Sequence, residues 1–416
     1  MPHASNHDCR LRLHMRTVAV AGGSLGGLRT AEALRSAGWT ESVIVIGSEA
    51  SMPYTRPPLS KKILSDDGAF DNVRLRPRLA DDDVDWRLGI SVTKADLAER
   101  RLHLSDGQVV EFDALVAATG VTPRTLPISG PHAGRHTLRT LDDARAVHRE
   151  LRPGRRVVVI GAGFIGCEVA AAARAKGCEV DVVCADEVAM LRPLGRAVGH
   201  AIQRRHTAAG IRFHPGRTVQ CYEGIDRVSG VVLDDGFYLS ADVVVEAVGS
   251  APNVTWLDGN GLDTSDGVMC DSWLRLGGVA ATAAVGDVAR FPNTLFDTVP
   301  RRFEHWQMAV DTARQAARTI IHDLSEAPIA ALPAFEPLPS FWSDQGTVRV
   351  DSFGSPGIAD CCEVLEGQLS GECAVGYYRA GRPVGVVLIG MPRRSGHYRT
   401  WIGEQLYALS AASVAG

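Results

Sequence analysis

The chain has no cysteine pair at the spacing of a dithiol redox centre. Its nine cysteines (Cys9, Cys167, Cys178, Cys184, Cys221, Cys270, Cys361, Cys362, Cys373) form no Cys-x-x-Cys, and residues 50–62 hold none. They read as scattered buried thiols of a reducing compartment, and the adjacent Cys361-Cys362 would bridge only with strain. The 13 histidines form no H-E-x-x-H and no Cys/His cluster, so no metal site is expected. No apolar run reaches the ~20 residues of a membrane span. Residues 1–14 are polar and lack the apolar core of a secretory signal; they read as a disordered extension, with Met15 as an alternative start. Basic residues are not in excess: 44 Lys+Arg against 48 Asp+Glu give a net charge of −4, which argues against a general nucleic-acid binder. The expectation is a cytoplasmic protein without membrane or nucleic-acid partners.

What is present is glycine, 43 residues of it, concentrated in two loops. The first is Val18-Ala19-Val20-Ala21-Gly22-Gly23-Ser24-Leu25-Gly26-Gly27, and the second Val157-Val158-Val159-Ile160-Gly161-Ala162-Gly163-Phe164-Ile165-Gly166. Each follows an apolar run of strand length and opens an alanine-rich helical pattern, the setting a dinucleotide-binding fingerprint requires. Glycines let the backbone approach a pyrophosphate, and the helix start supplies free N–H groups and a positive dipole end. The second loop fits in full; the first carries Ser24 at the middle position, small enough to keep the close approach. A ribose-binding carboxylate should follow by ~20 residues. After the first loop this is Glu49, with Ser48 competing. After the second, the strand ends on Cys184 and leaves Asp186 or Glu187 to reach back. No arginine stands just after that strand to take a 2′-phosphate, so NADH is favoured over NADPH. Two dinucleotides in one chain suggest electron transfer from one to the other.

A length of 416 residues suggests about three domains at ~150 residues each. The segment Met52-Pro53-Tyr54-Thr55-Arg56-Pro57-Pro58-Leu59-Ser60-Lys61 cannot form regular helix or sheet across its paired prolines. Residues 84–116 read as β-structure with a turn at Ser105-Asp106-Gly107, then a strand ending at Thr119-Gly120. Asp234-Asp235-Gly236 and the run ending at Gly249 repeat that design, a weak internal repeat supporting two similar nucleotide domains. A Pro-rich linker at residues 330–339 precedes a smaller mixed α/β piece.

These residues resemble the NADH-dependent, FAD-containing ferredoxin reductases that serve oxygenases, with apoptosis-inducing factor as a relative. The resemblance runs from about Thr17 to Gly390. It rests on Tyr54-Thr55-Arg56-Pro57-Pro58-Leu59-Ser60-Lys61, Gly161-Ala162-Gly163-Phe164-Ile165-Gly166-Cys167-Glu168, Ala284-Val285-Gly286-Asp287-Val288-Ala289, and Glu304-His305-Trp306 with Phe341-Trp342-Ser343-Asp344-Gln345. It implies an α/β fold of two Rossmann-like dinucleotide-binding domains and a smaller C-terminal α+β domain. Their boundaries would be 15–125 with 252–328 for FAD, 126–251 for NAD, and 329–416 for the C-terminal interface domain.

The resemblance also implies the site. FAD would contact Gly22, Ser24, Leu25, Gly26, Gly27, Ser48, Glu49, Arg56, Lys61, Val92, Thr119, Gly120, Arg139, Gly286, Asp287, His305 and Trp306. NADH would contact Gly161, Gly163, Phe164, Ile165, Gly166, Glu168, Asp186 and Gly249. Lys61 and Glu168 would pair across the reacting rings. The partner would be an acidic iron–sulfur ferredoxin feeding a P450 or a Rieske oxygenase, docking on basic residues for which Arg290, Arg301 and Arg302 are candidates. Structural readings stand beside these: Lys61 as a solvated lysine, Glu168 as a helix carboxylate, Asp287 as an N-cap, Trp306 and Trp342 as core aromatics. An NADH oxidase or peroxidase, or a flavoprotein with a binding role, are the competing functions.

Overall fold

The computed structural model describes residues 15–66, 69–80, 83–325 and 332–414. The expected extension at residues 1–14 and the first residues of the expected linker at 330–339 lie outside the described residues.

Valine- and isoleucine-rich runs that are buried on both faces form parallel strands. One five-stranded sheet has the order Thr282–Ala284, Ala114–Ala117, Thr17–Ala21, Ser42–Gly47, Asp85–Leu88, all parallel. The other has the order Ile211–Pro215, Glu179–Cys184, Arg156–Ile160, Val243–Glu246, Arg135–His136, again all parallel. In each, a glycine loop leaves the central strand and enters a 12-residue helix, Leu25–Ser36 or Phe164–Ala175. The loops therefore lie at the carboxyl ends of parallel strands, where α/β sheets place ligands.

The internal repeat is real. Each unit carries a three-stranded antiparallel meander, Val92–Asp96, Arg101–Leu104, Val109–Glu111 in the first and Val219–Gly224, Val228–Leu233, Tyr238–Ser240 in the second. Each meander leads into a strand beside the central one. The chain crosses between units on a two-stranded ribbon, Val121–Pro123 against Ser250–Pro252. The helix Trp306–Leu324 then returns to the first unit, where Ala313, Ala316, Ala317 and Ile320 share a core with Ala31 and Leu34.

Residues 340–389 form a five-stranded antiparallel sheet in the order Ser340–Gln345, Val348–Gly354, Arg382–Ile389, Cys373–Arg379, Cys361–Gly367. Its alternation sets two faces. Phe353, Ala374, Val386 and Leu388 pack with Tyr398, Ile402 and Leu406 of the helix Ser395–Val414. Val350, Val375, Val387 and Ile389 join the core of the second unit, with Leu194 and Ile202 of the helix Leu191–Ala208. This sheet thus forms a wall against the NAD-type loop. No helix among the described residues is long and apolar enough to cross a membrane.

Candidate active site

Both glycine loops are built alike, down to their contacts. A Cβ at Gly27 would lie 2.0 Å from the Gly22 carbonyl oxygen, and one at Gly166 would lie 2.0 Å from that of Gly161. These two glycines are therefore required by close packing. The middle position is different. Gly163 has φ −77° and nothing within 4 Å of its Cβ position, and Ser24 at the matching place has φ −107°. A side chain is sterically free there, which explains why Ser24 breaks the glycine pattern without breaking the loop. Its hydroxyl accepts from Arg56 Nη2 at 3.1 Å. Neither helix has an acidic residue in its first turn or a side-chain cap bond, so both N-termini keep their N–H groups available to an anion.

The two helix starts open onto one cavity of about 260 Å³. Ser24, Leu25, Gly26, Arg56, Lys61, Gly120, Gly286, Asp287, His305 and Trp306 line it from the first unit. Arg139, Phe164, Ile165 and Glu168 line it from the second, and Phe341 and Trp342 from the C-terminal sheet. Among the described residues no cysteine lines it.

Inside this cavity the expected lysine–glutamate contact is present. Lys61 Nζ lies 2.8 Å from Glu168 Oε2, with side-chain exposures of only 12% and 5%. The lysine is not a solvated surface group and the glutamate is not a helix cap. Lys61 also donates to the Pro57 carbonyl at 3.0 Å, and the expectation of no helix across the paired prolines is corrected: Pro57–Ser60 is a short 3-10 helix whose first turn accommodates both prolines. Glu168 Oε2 accepts from Ser60, and Oε1 accepts from Ser343 at 2.5 Å. Arg139 and Asp287 pair at 2.7 Å, and Asp287 sits inside a short 3-10 turn rather than capping a helix. Glu49 is gripped by Arg56 and by the Tyr54 hydroxyl, and burial raises the Tyr54 phenol to about 12.

The aromatics form a wall rather than a core. Phe164 meets Phe341 edge-on at 4.7 Å, His305 stands 4.8 Å from Phe341, and Trp306 stands 6.1 Å from Trp342. Burial holds the His305 imidazole down at about 4, so it is neutral. His305 Nδ1 and Trp306 Nε1 are buried with no hydrogen-bond partner among the described residues. Orphaned polar atoms in a cavity wall mark the place of a ligand's polar edge. Together with the open position at Gly163 and the uncapped helix starts, they fit an aromatic dinucleotide cofactor such as FAD.

Several expected residues lie off this cavity. Gly22, Gly27, Gly161 and Gly166 shape the loops from behind. Val92 sits in the first meander and packs against the apolar core. Thr119 holds the unit crossing, bonding the Asn253 carbonyl at 2.7 Å. Ser48 is exposed, and Gly249 lies at φ +100° beside the crossing. Asp186 stands at the end of its strand, 3.5 Å from Arg192, while Glu187 meets Arg196 at 2.5 Å. Here the linear expectation needs correcting: the helix Leu191–Ala208 brings arginines to a place where the sequence immediately after the strand has none. Cys184 is buried, its thiol against the Val188 carbonyl at 3.7 Å.

Two further expectations are corrected. Arg290, Arg301 and Arg302 do not form a free basic patch: they pair with Asp263, Asp297, and Asp266 plus Glu304 at 2.5, 2.6, 2.7 and 2.8 Å. The cysteines are not all buried, because Cys361 and Cys362 are exposed and Cys221 is half-buried; among the described residues all are free. Sequence reasoning missed Tyr54, Ser60, Ser343, Gln345 and Phe341 as parts of the site. All five stand inside the motifs given above, and for Phe341, Ser343 and Gln345 the alternation along the Ser340–Gln345 strand was the signal available.

Residues 16–313 match the model of the family described as pyridine nucleotide-disulphide oxidoreductase. Rhodocoxin reductase of Rhodococcus erythropolis is 32% identical over 91% of this chain and 87% of its own length. The ferredoxin--NAD(+) reductase component of the anthranilate 1,2-dioxygenase system of Burkholderia cepacia is 34% identical over 92% and 93%. Among solved structures, the covalent putidaredoxin reductase–putidaredoxin complex superposes with a TM-score of 0.87 at 29% identity, covering 94% of this chain and 93% of the other.

Proposed function

The chain belongs to the pyridine nucleotide-disulphide oxidoreductase family, and from that premise we propose that it is a ferredoxin reductase. It takes electrons from a nicotinamide nucleotide and passes them through FAD to a small iron–sulfur ferredoxin that supplies an oxygenase, a P450 or a Rieske enzyme. The observation that carries this reading is the single cavity onto which both nucleotide loops open, with Lys61 and Glu168 joined inside it. Thiol chemistry is disfavoured by the lack of a cysteine in the cavity wall among the described residues.

FAD bound to the first loop would accept two electrons from the nicotinamide and release them singly. The residues of this chain do the rest. The uncapped Leu25–Ser36 helix start would hold the pyrophosphate, and Arg139 and Asp287, paired in the cavity wall, would offer polar contacts to the rest of the cofactor. Phe164 and Ile165, which line the cavity from the second helix, would position the nicotinamide. Glu168 would orient it and balances the charge of Lys61, 2.8 Å away, which would offer electrostatic support to charge gathered on the bound ring. Phe341 and Trp342 exclude water from the reacting faces. Residues 15–125 with 252–328 make the FAD domain, 126–251 the NAD domain and 329–416 the third. The protein works in the cytoplasm.

NADH is the preferred donor. Asp186 and Glu187 offer carboxylates to the ribose hydroxyls, and these repel a 2′-phosphate. Arg192 beside Asp186 makes the margin narrow, because an exposed guanidinium can turn to that phosphate.

The test is direct. Purified protein should be yellow with one FAD per chain, and its NADH-driven reduction of cytochrome c should rise steeply when a ferredoxin is added. A protein that stays colourless and inactive after addition of FAD would end the reading. Ferredoxin-independent turnover with oxygen alone would favour an oxidase.

A further inference from the structure

The glutamate of the site is held from behind by the third domain. We infer that Ser343 and Gln345, backed by His206, are positioning residues for Glu168, an inference that rests on Glu168 facing the nicotinamide. Phe341, Ser343 and Gln345 alternate along one strand and so share a face. Phe341 meets Phe164 on the second-loop helix, Ser343 meets Glu168 on the same helix, and Gln345 meets His206 near the end of Leu191–Ala208. The neighbouring strands present Val350, Val387 and Ile389 to the same core, and Ser352, opposite Phe341, is a third buried polar side chain on this largely apolar face.

The hydrogen atoms order this row in one direction. Gln345 Nε2 donates to Ser343 Oγ at 2.9 Å, so the serine's single hydrogen is left for Glu168 Oε1 at 2.5 Å. The Gln345 carbonyl oxygen faces His206 Nε2 at 2.7 Å, so that nitrogen carries the hydrogen. Ser343 and Gln345 are each 1% exposed and His206 2%, out of reach of competing water. With Ser60 and Lys61 on Oε2, both oxygens of the carboxylate are fixed and its plane cannot turn. Removing the Ser343 hydroxyl frees Oε1 and lets the carboxylate rotate onto Lys61, away from the ring it orients.

Stopped-flow flavin reduction at saturating NADH tests this with Ser343→Ala and Ser343→Thr, each alone and combined with Glu168→Ala. NAD+ affinity is read separately from the absorbance change of the oxidised protein. Ser343→Ala should lower the limiting rate roughly 10-fold, within the ~10²-fold that misplacement of about 1 Å costs, while NAD+ affinity holds. Ser343→Thr, which keeps the hydroxyl, should restore most of the rate. In the Glu168→Ala background Ser343→Ala should add nothing, because contacting residues acting through one another are non-additive. An equal drop in both backgrounds, or no drop in either, overturns the inference while a slow Glu168→Ala keeps the site reading intact. A Glu168→Ala protein reduced at the wild-type rate overturns both. If Ser343→Ala fails to hold FAD, Gln345→Met carries the same test: it removes the donor that orients the serine. A slowing confined to the Glu168 background supports the inference, and its absence overturns it.

Discussion

Glu168 accepts from three donors on two segments far apart in the chain, Ser60 with Lys61 and then Ser343, and that is why its role is sensitive to substitution. Glu168→Ala should slow flavin reduction by NADH ~10²-fold, the scale of a misoriented reactant, while FAD stays bound. Stopped-flow absorbance measures this without any ferredoxin; an unchanged rate would reduce Glu168 to a structural carboxylate. Donor choice is decided at Asp186 and Arg192. Asp186→Asn should narrow the NADH-over-NADPH ratio of kcat/KM about tenfold, since a hydrogen bond to a charged group is worth ~1.5–3 kcal/mol. Arg192→Ala should lower NADPH use by a similar factor and leave NADH use alone. At this scale the sequence was informative where chemistry is local. Lys61, Glu168 and Arg56 stand in short motifs. Gln345 and His206, 139 residues apart, do not announce their contact. Arg192 reaches Asp186 only because a helix folds back over the strand end.

Among the elements, the glycine loops separate two demands that a motif merges. Gly166 is packed against a carbonyl, so Gly166→Ala should force the backbone apart and lower thermal stability by ~1–3 kcal/mol, the usual cost of overpacking. Gly163 faces open space with negative φ, so Gly163→Ala should leave the unfolding temperature nearly unchanged. It should weaken NADH binding instead, because the added methyl stands where the pyrophosphate approaches. Parallel thermal melts and NAD+ titrations distinguish the two; a matched loss of stability in both would refute the division. The same division made the fold legible. Strand–loop–helix units and the repeated D-G turns could be read because each is set by a few neighbouring residues. The pairing of Val121–Pro123 with Ser250–Pro252 could not, being a contact between short segments without periodicity.

For the whole molecule, charge must be counted after folding. The arginines nearest the late flavin motif along the chain are neutralised by carboxylates, whereas Arg74, Arg76 and Arg78 are exposed and, among the described residues, their guanidinium groups have no acidic partner, Arg78 meeting Glu32 only through its backbone N–H. Leu75 between them packs beside Trp306 and Leu25, so this strip borders the flavin side of the cavity. Arg74→Glu with Arg76→Glu should raise the KM for an acidic ferredoxin about tenfold at low salt and leave NADH-driven flavin reduction unchanged; the difference should fade near ~0.5 M salt as the charges are screened. A KM that does not move would place the docking face elsewhere. The discontinuous first sheet bears on something else, the birth of the chain. Its fifth strand, Thr282–Ala284, and the helix Trp306–Leu324 are translated only after the whole second unit. A nascent chain stalled on the ribosome anywhere before them carries a first unit with the Ala114–Ala117 strand unpaired on one side and the alanine face of Leu25–Ser36 bare. The second unit, whose five strands all lie between residues 135 and 246, completes its sheet first. Synthesis therefore passes through an interval in which an open strand edge waits, and in that interval the growing protein is the client of whatever chaperones meet it at the tunnel exit.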